Sequence, residues 1–249
     1  MSYGQQNQGK NPYAAMAHNY AVPAAQASVG DRVSFIRKTY LHLAAAVGAF
    51  VLIETIIFTL FGDQIMSKVL PMVSGLSWLV VLAAFIGAGW LANHWAHSET
   101  SQAKQYMGLG LCVVAWSAIF VPLLAIAQKY GGEGTIALAG IITVIVFGGL
   151  TATVFLTKAD FSFLRTAITV GSLLALATIV VGTIMSLPIF GMFFAGAMVL
   201  LCVGSILYDT SNVLHHYRTD QHVGASLSLF ASIAMLFWYI LQLVMMLQE

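Results

Sequence analysis

The chain has 249 residues, of which 59% are hydrophobic and 8% are charged, and its mean hydropathy is +0.88. A soluble domain carries about 25% charged residues, so this composition excludes a soluble globular class and indicates a protein with several membrane spans. The net charge of +1 provides no basic surface for a nucleic-acid partner, and the two cysteines, both within apolar runs, exclude a disulfide-rich fold.

Residues 1–30 differ from the rest of the chain in composition. They are rich in Gln, Asn, Ala, Gly and Pro and lack the apolar core of a signal peptide, so they predict a disordered tail. Tyr3, Tyr13 and Tyr20 could form a short recognition motif, although a spacer is the simpler interpretation. The chain is therefore divided into a tail and a membrane domain over 31–249.

Seven apolar runs follow the tail, and each is long enough for a membrane-spanning helix, which needs about 20 residues. The breaks between the runs contain residues that are typical of loops. The sequence thus predicts an all-α bundle of seven transmembrane helices, over 39–61, 72–93, 106–128, 135–157, 164–187, 190–211 and 224–247.

Small residues recur at intervals of four within several runs. Such pairs allow helices to approach closely where lipid provides no hydrophobic drive for association. The pairs are Gly148 with Ala152, Gly171 with Ala175, and Gly191 with Ala195.

The first predicted span contains an acidic residue, Glu54, within the stretch FVLIETIIF. A carboxylate is costly in hydrocarbon, so Glu54 must face the interior of the bundle, find a partner or take up a proton. Two interpretations stay open. Glu54 is a proton or cation ligand, or it is a neutral interior residue held by hydrogen bonds.

The sixth predicted span ends with a second acidic residue, Asp209, in the stretch ILYDTSNVL. A carboxylate at the inner edge of a span needs a polar partner within the protein. Asp209 is therefore a candidate residue for binding an ion or carrying a proton.

The seventh predicted span carries a stripe of polar side chains. Successive spacings of four, three, four and three residues place its members on one helical face. A span with one polar face is best placed at the centre of a bundle or beside a water-filled path, although ordinary hydrogen bonds between helices are the alternative. The members are Ser228, Ser232, Met235, Tyr239 and Gln242.

Five histidines lie near the ends of predicted spans, on the same side of the membrane as Asp209. Imidazole and carboxylate groups are zinc ligands, so a metal-dependent hydrolase is one interpretation. No compact motif such as H-E-x-x-H is present, however, so we expect no metal site and no enzymatic activity. The histidines are His94, His97, His215, His216 and His222.

Lys and Arg residues are distributed unevenly over the predicted loops. Eight of the ten lie on the side of the N-terminus, which predicts a cytoplasmic N-terminus and a C-terminus outside the membrane. The eight are Lys10, Arg32, Arg37, Lys38, Lys104, Lys158, Arg165 and Arg218, while Lys68 and Lys129 lie on the other side.

Three stretches resemble signatures of the Bax inhibitor-1 family. They are SFIRKTYLHLAAAVGAF at the start of span one, LTKADFSFLR between spans four and five, and GSILYDTSNVL at the end of span six. The family is also called transmembrane Bax inhibitor motif-containing, and it includes the bacterial YccA-type proteins. The resemblance covers the chain after the tail, and it implies seven spans with a cytoplasmic N-terminus.

The resemblance also identifies a site. Calcium-leak members of the family use two intramembrane aspartates that share a proton and open a path as pH changes. Asp209 matches the first aspartate, whereas the position of the second is Ser232, which carries no charge. The resemblance therefore implies that Asp209 lies beside Ser232 and other polar groups of span seven, with no cofactor and at most weak Ca²⁺ binding.

A serine at this position resembles the YccA-type branch, whose members associate with FtsH-type membrane-bound AAA proteases and modulate them. The resemblance thus implies a bacterial inner-membrane protein that is embedded in the lipid bilayer and is both modulator and substrate of such a protease. A disordered tail fits this role because an AAA protease must engage an unstructured segment, although the tail could also be idle. A pH-sensitive cation leak through Asp209 and Glu54 is the second interpretation, and the hydrolase is the third.

Overall fold

The computed structural model describes residues 22–65, 67, 76–98, 101–185 and 191–248, and these residues form seven α-helices. All seven are long and apolar enough to cross a membrane, so the predicted all-α, seven-span fold is confirmed. The helices are α1 Val29–Gln64, α2 Leu76–Ala96, α3 Gln102–Tyr130, α4 Thr135–Thr157, α5 Leu164–Met185, α6 Met192–His215 and α7 His222–Gln248.

The first helix begins well before the apolar run that predicted it. Ser28 caps α1 by accepting a hydrogen bond from the backbone N–H of Asp31 at 3.2 Å, so the helix begins at Val29 rather than at residue 39. Its 36 residues span about 54 Å, which exceeds the roughly 30 Å of hydrocarbon in a bilayer. The early turns are charged and extend beyond the lipid, which is why a hydropathy count misses them.

Helix α7 lies at the centre of the bundle, as the polar stripe predicted. It packs against α1, α2, α3, α4 and α6, and Leu229, Leu236 and Leu241 are fully buried. Helix α3 shares the core through Phe120, whose ring stacks on Phe237 of α7 with centroids 5.4 Å apart. Burial of these large side chains fixes the positions of α3 and α7.

Helices α2 and α3 approach each other closely where they cross. A Cβ atom at Gly108 would lie 2.5 Å from the carbonyl oxygen of Ala92, so only glycine fits at this position. Of the predicted small-residue pairs, Gly171 does pack tightly, since a Cβ there would lie 2.7 Å from Leu201. The prediction for Gly148 and Ala152 is wrong, because both are exposed on the outer face of α4.

Residues 22–28, which we call the N-terminal strap, lie against the loop between α6 and α7. The backbone N–H of Ala24 donates to the carbonyl oxygen of Tyr217 at 2.8 Å, and the N–H of Thr219 donates to Val22 at 3.2 Å. Arg32 holds the strap from below through a 2.7 Å hydrogen bond to the Ala24 carbonyl oxygen. Residues 1–21, which make up most of the predicted tail, lie outside the described residues.

Candidate functional site around Asp209

A single hydrogen bond between two interior side chains defines the candidate site. Helices α6 and α7 run antiparallel and are joined by a short loop, which brings Asp209 of α6 opposite Ser232 of α7. The Ser232 hydroxyl donates to Oδ2 of Asp209 at 2.5 Å, and both side chains are partly buried. The proximity that the resemblance implied is therefore present, while the role of the pair in binding ions or protons stays a prediction.

One helical turn closer to the loop, a second polar pair connects the loop to α7. The Tyr217 phenol and the Ser228 hydroxyl lie 2.9 Å apart. Burial raises the pKa of Tyr217 to about 12, and the nearby charge of Asp209 acts in the same direction. The phenol is therefore neutral over the physiological pH range, and it keeps a polar but uncharged neighbour beside Asp209.

Three buried hydroxyl groups lie together where α1, α4 and α6 meet. The phenol of Tyr40 in α1 lies beside Thr151 of α4 and Thr210 of α6, the residue that follows Asp209. None of the three oxygens has a hydrogen-bond partner among the described residues. These three side chains form a polar contact between α1, α4 and α6, one residue along α6 from Asp209.

The loop between α4 and α5 is attached to the end of α6 next to this site. The backbone N–H of Phe161 donates to the Ser211 hydroxyl at 2.9 Å, and Asp160 lies 3.7 Å from His216. A hydrogen bond from the Ser162 backbone N–H lowers the pKa of Asp160, and the imidazole of His216 adds to the effect. Parts of all three stretches that carry the family resemblance consequently meet at the end of α6, where Tyr40 lies beside Thr210 and Phe161 binds Ser211.

Glu54 lies elsewhere in the bundle. It is only 6% exposed, and neither carboxylate oxygen has a hydrogen-bond partner among the described residues. Phe50, one helical turn earlier, packs edge-on against Phe120 of α3 and Phe230 of α7, so this face of α1 points to the interior. The described residues therefore do not supply the hydrogen bonds that were expected for a neutral Glu54 in the interior.

The polar stripe of α7 has two parts. Ser228 and Ser232 bind the groups around Asp209, whereas Met235, Tyr239 and Gln242 line a separate cavity towards the C-terminal end of the helix. All five side chains face the protein rather than the lipid. The carbonyl oxygen of the Gln242 side chain is buried without a hydrogen-bond partner among the described residues.

The histidines do not converge on one point. His97 lies beside Tyr217, His216 faces Asp160, and His222 contacts His42 with ring centroids 5.0 Å apart. His94 stacks on Trp90, whereas His215 bonds to the carbonyl oxygen of Ser211 and lies beside His216, with ring centroids 6.2 Å apart. Within the described ranges, no group of three or more His, Cys, Asp or Glu side chains could hold a metal ion.

Sequence reasoning missed several members of the site. Tyr217 lies in a loop, and only its contacts with Ser228 and Ala24 in the structure identify it as part of the site. Tyr40 and Ser211 lie within the stretches that carry the family resemblance. Their position within these stretches was the one signal in the sequence that could have identified them, because neither belongs to a polar stripe with helical spacing.

Comparison with known proteins extends these observations. The profile of the family described as "Inhibitor of apoptosis-promoting Bax1" matches residues 32–249. Bax inhibitor 1 of Schizosaccharomyces pombe is 30% identical over 251 aligned positions, which cover 100% of this chain and 90% of that protein. Protein lifeguard 4 of Mus musculus is 26% identical over 229 positions, which cover 90% of each chain.

A bacterial relative matches a smaller part of the chain. The modulator of FtsH protease YccA of Escherichia coli K12 is 30% identical over 119 positions, which cover 48% of this chain and 54% of that protein. No solved structure shows a significant match.

Proposed function

Because this chain belongs to the Bax inhibitor-1 family, we propose that it modulates a membrane-bound AAA protease of the FtsH type and is itself a substrate of that protease. The proposal starts from two findings: the chain has seven helices that can cross a membrane, and it matches the family over residues 32–249. The observation that carries the finer proposal is the 30% identity to YccA, whose name describes a modulator of FtsH protease.

The Asp209–Ser232 pair supports a modulator over a pH-gated leak. A shared-proton mechanism needs two carboxylates that repel each other at close range. Here a neutral hydroxyl occupies the position opposite Asp209, at 2.5 Å. The pair is a structural link between α6 and α7 that contains one ionisable group.

The distribution of charge supports an N-terminus on the cytoplasmic side. Lys104, Lys158, Arg165 and Arg218 lie at or beyond helix ends on the side where α7 begins, and the N-terminal strap packs on the same side. Positively charged loops favour the cytoplasm. In a bacterial inner membrane, this orientation presents the N-terminal segment to a cytoplasmic AAA domain.

The test is reconstitution of the purified protein with an FtsH-type protease in proteoliposomes. We expect the full chain to change the degradation rate of a second membrane substrate and to be degraded itself. A variant without residues 1–21 keeps the strap and the Ser28 cap of α1, and we expect its own turnover to fall. Unchanged degradation of the second substrate at saturating full chain would contradict the modulator.

A weak cation path is the second candidate function, and one observation favours it. The Asp209 carboxylate lies inside the bundle with the Ser232 hydroxyl as its hydrogen-bond partner, and the hydroxyl groups of Tyr40, Thr151 and Thr210 lie together at the next residue of α6. Ca²⁺ prefers about six to eight oxygen ligands, of which carboxylates bind most strongly. One carboxylate with neutral hydroxyl groups offers a weak site, so this function ranks second.

A further inference from the structure

A cavity of about 540 Å³ lies within the bundle, separate from the Asp209 site. It is enclosed by α2, α3, α5, α6 and α7, and it begins at Met235, one turn beyond Ser232 towards the C-terminal end of α7. This volume falls within the range of about 300–1,000 Å³ that is typical of small-molecule sites in proteins. The cavity is large enough for a ligand of moderate size.

The cavity reaches the lipid-facing surface between α2 and α5. Ile86 of α2 and Leu176 of α5 both line it, and these side chains are 47% and 36% exposed. Both helices are apolar enough to cross the membrane. A ligand would therefore reach the cavity from the bilayer, which selects for molecules that dissolve in lipid.

Aromatic rings form much of the wall. Trp78 and Phe85 come from α2, Trp116 comes from α3, and Trp238 and Tyr239 come from α7. Phe85 and Trp116 already pack edge-to-face with centroids 4.9 Å apart. Such rings prefer offset-stacked or edge-on contact with another flat ring, so the wall suits an aromatic ligand better than a flexible chain.

The polar groups of the wall are few and neutral. They are Ser172, Tyr239 and Gln242, and none of the described residues that line the cavity is acidic or basic. Without a positive charge, the wall gives no compensation for burying a carboxylate or phosphate group. Charged lipids are consequently poor candidates.

Two of these groups have hydrogen-bonding capacity to spare. The side-chain carbonyl oxygen of Gln242 is buried without a partner among the described residues, and it needs a donor. Tyr239 is 8% exposed, and its hydroxyl makes no hydrogen bond with any residue in the described part of the chain. A ligand hydroxyl group can donate to the amide oxygen of Gln242 and accept a hydrogen bond from Tyr239.

We propose that this cavity binds a neutral, lipid-soluble molecule that carries a hydroxyl group on a flat aromatic ring, as phenols and quinols do. The ring contacts the tryptophan and phenylalanine side chains, and the hydroxyl group lies between Tyr239 and Gln242. The proposal does not depend on the function proposed above.

The test uses a matched pair of ligands and the fluorescence of the protein. Three of the five tryptophans line the cavity, so a bound ring should change the emission of the protein in lipid nanodiscs. The probes are tert-butylhydroquinone and its dimethyl ether, which has the same ring but cannot donate a hydrogen bond. We expect saturable binding of the hydroquinone, and about threefold to tenfold weaker binding of the ether, as expected for the loss of one or two neutral hydrogen bonds.

Two variants test the polar contacts. Gln242→Leu should weaken hydroquinone binding by about threefold to tenfold and leave the affinity of the ether nearly unchanged, because the ether has no hydrogen to donate. Tyr239→Phe should weaken the binding of both probes by about threefold to tenfold, because the ether oxygen still accepts a hydrogen bond from Tyr239. Gln128→Leu changes an exposed glutamine of α3 outside the cavity, and it should bind both probes as the unmodified protein does.

A cavity-filling variant keeps the test decisive if a polar variant fails to fold. Ala175→Leu adds volume to the wall and keeps both polar groups, so it should reduce the binding of both probes. Equal affinity for the hydroquinone and the ether would overturn the proposal. Displacement of the hydroquinone by dodecane at equal membrane concentration would also overturn it, because the cavity would then accept any acyl chain.

Discussion

The Ser232 hydroxyl donates a 2.5 Å hydrogen bond to Oδ2 of Asp209, and this bond links α7 to α6 within the bundle. It gives the acidic residue of α6 a partner that carries no charge. Tyr217 pairs with Ser228 on the side of the loop, and the hydroxyl groups of Tyr40 and Thr210 lie together at the next residue of α6. The site therefore combines one carboxylate with several neutral oxygen atoms.

Removing the hydroxyl group of Ser232 should destabilise the bundle. Ser232→Ala leaves the Asp209 oxygen without its donor, and we expect a loss of about 1–3 kcal/mol in the free energy of unfolding. The measurement is denaturant unfolding in detergent micelles. Ser205→Ala is the matched control, because the Leu201 carbonyl oxygen of the same helix is the one partner of Ser205 among the described residues, and it should cost less than about 1 kcal/mol. Equal losses in both variants would show that the interhelical bond contributes nothing.

Tyr217 should make the stability of the protein depend on alkaline pH. Burial raises the pKa of Tyr217 in the folded state from 10.0 to about 12. The stability that it contributes is therefore complete below about pH 10 and is lost as pH rises towards 12. The difference in unfolding free energy between the unmodified protein and Tyr217→Phe should shrink by about 2–3 kcal/mol over this range. A pH-independent difference would contradict the buried, neutral phenol.

The crossing of α2 and α3 should tolerate no side chain at Gly108. Gly108→Ala places a methyl group 2.5 Å from the Ala92 carbonyl oxygen, which belongs to the backbone and cannot move aside. We expect a loss of about 1–3 kcal/mol in unfolding free energy. Gly110→Ala is the control, since no atom of another helix in the described part of the chain lies within 4 Å of its Cβ position, and it should be as stable as the unmodified protein or slightly more stable.

The N-terminal strap should be held less firmly when Arg32 is replaced by a residue that cannot donate two hydrogen bonds side by side. Arg32 donates to the carbonyl oxygens of Ala24 and Ala25, and a lysine keeps the charge but cannot reproduce both bonds. Limited digestion with elastase should cut the strap of Arg32→Lys about tenfold faster than that of the unmodified protein, which corresponds to roughly 1.4 kcal/mol. The exposed Arg37→Lys should be cut at the original rate. Equal rates for both variants would show that Arg32 does not hold the strap.

The fold was predictable because lipid limits the choice of structures. Apolar runs identify the spans, and the spacing of the polar residues on α7 predicts its central position. The start of α1 was not predictable from hydropathy, because Asp31 and Arg32 belong to turns outside the lipid. A contact such as that of Gly108 with Ala92 depends on how two helices cross. The residue pattern of a single helix carries no information about that crossing.

The site was predictable only in part. The family resemblance placed Asp209 opposite Ser232, and the structure has the two in contact. It could not show that Gln242 and Tyr239 line a separate cavity, because the stripe reads as one continuous face in the sequence. The role of Glu54 also stays a prediction, since neither of its carboxylate oxygens has a hydrogen-bond partner among the residues that the structure describes.

A second carboxylate at position 232 should create the acid pair that this chain lacks. Ser232→Asp places two carboxyl groups within a few ångströms in a low-dielectric interior, where two negative charges repel by about several kcal/mol. The pair should retain one proton near neutral pH, and we expect the variant to gain a calcium flux that changes with pH. Ser232→Asn has nearly the same size without the charge, and it should show no such gain.

Calcium flux through the unmodified protein in proteoliposomes, measured between about pH 6 and pH 8 with Asp209→Asn as the matched variant, tests the role of the Asp209–Ser232 pair. We claim that one carboxylate paired with a serine links two helices and does not gate a path. We therefore expect a weak flux that changes little over this range. A strong, pH-gated flux from the unmodified protein that disappears in Asp209→Asn would contradict the claim and place the cation path first.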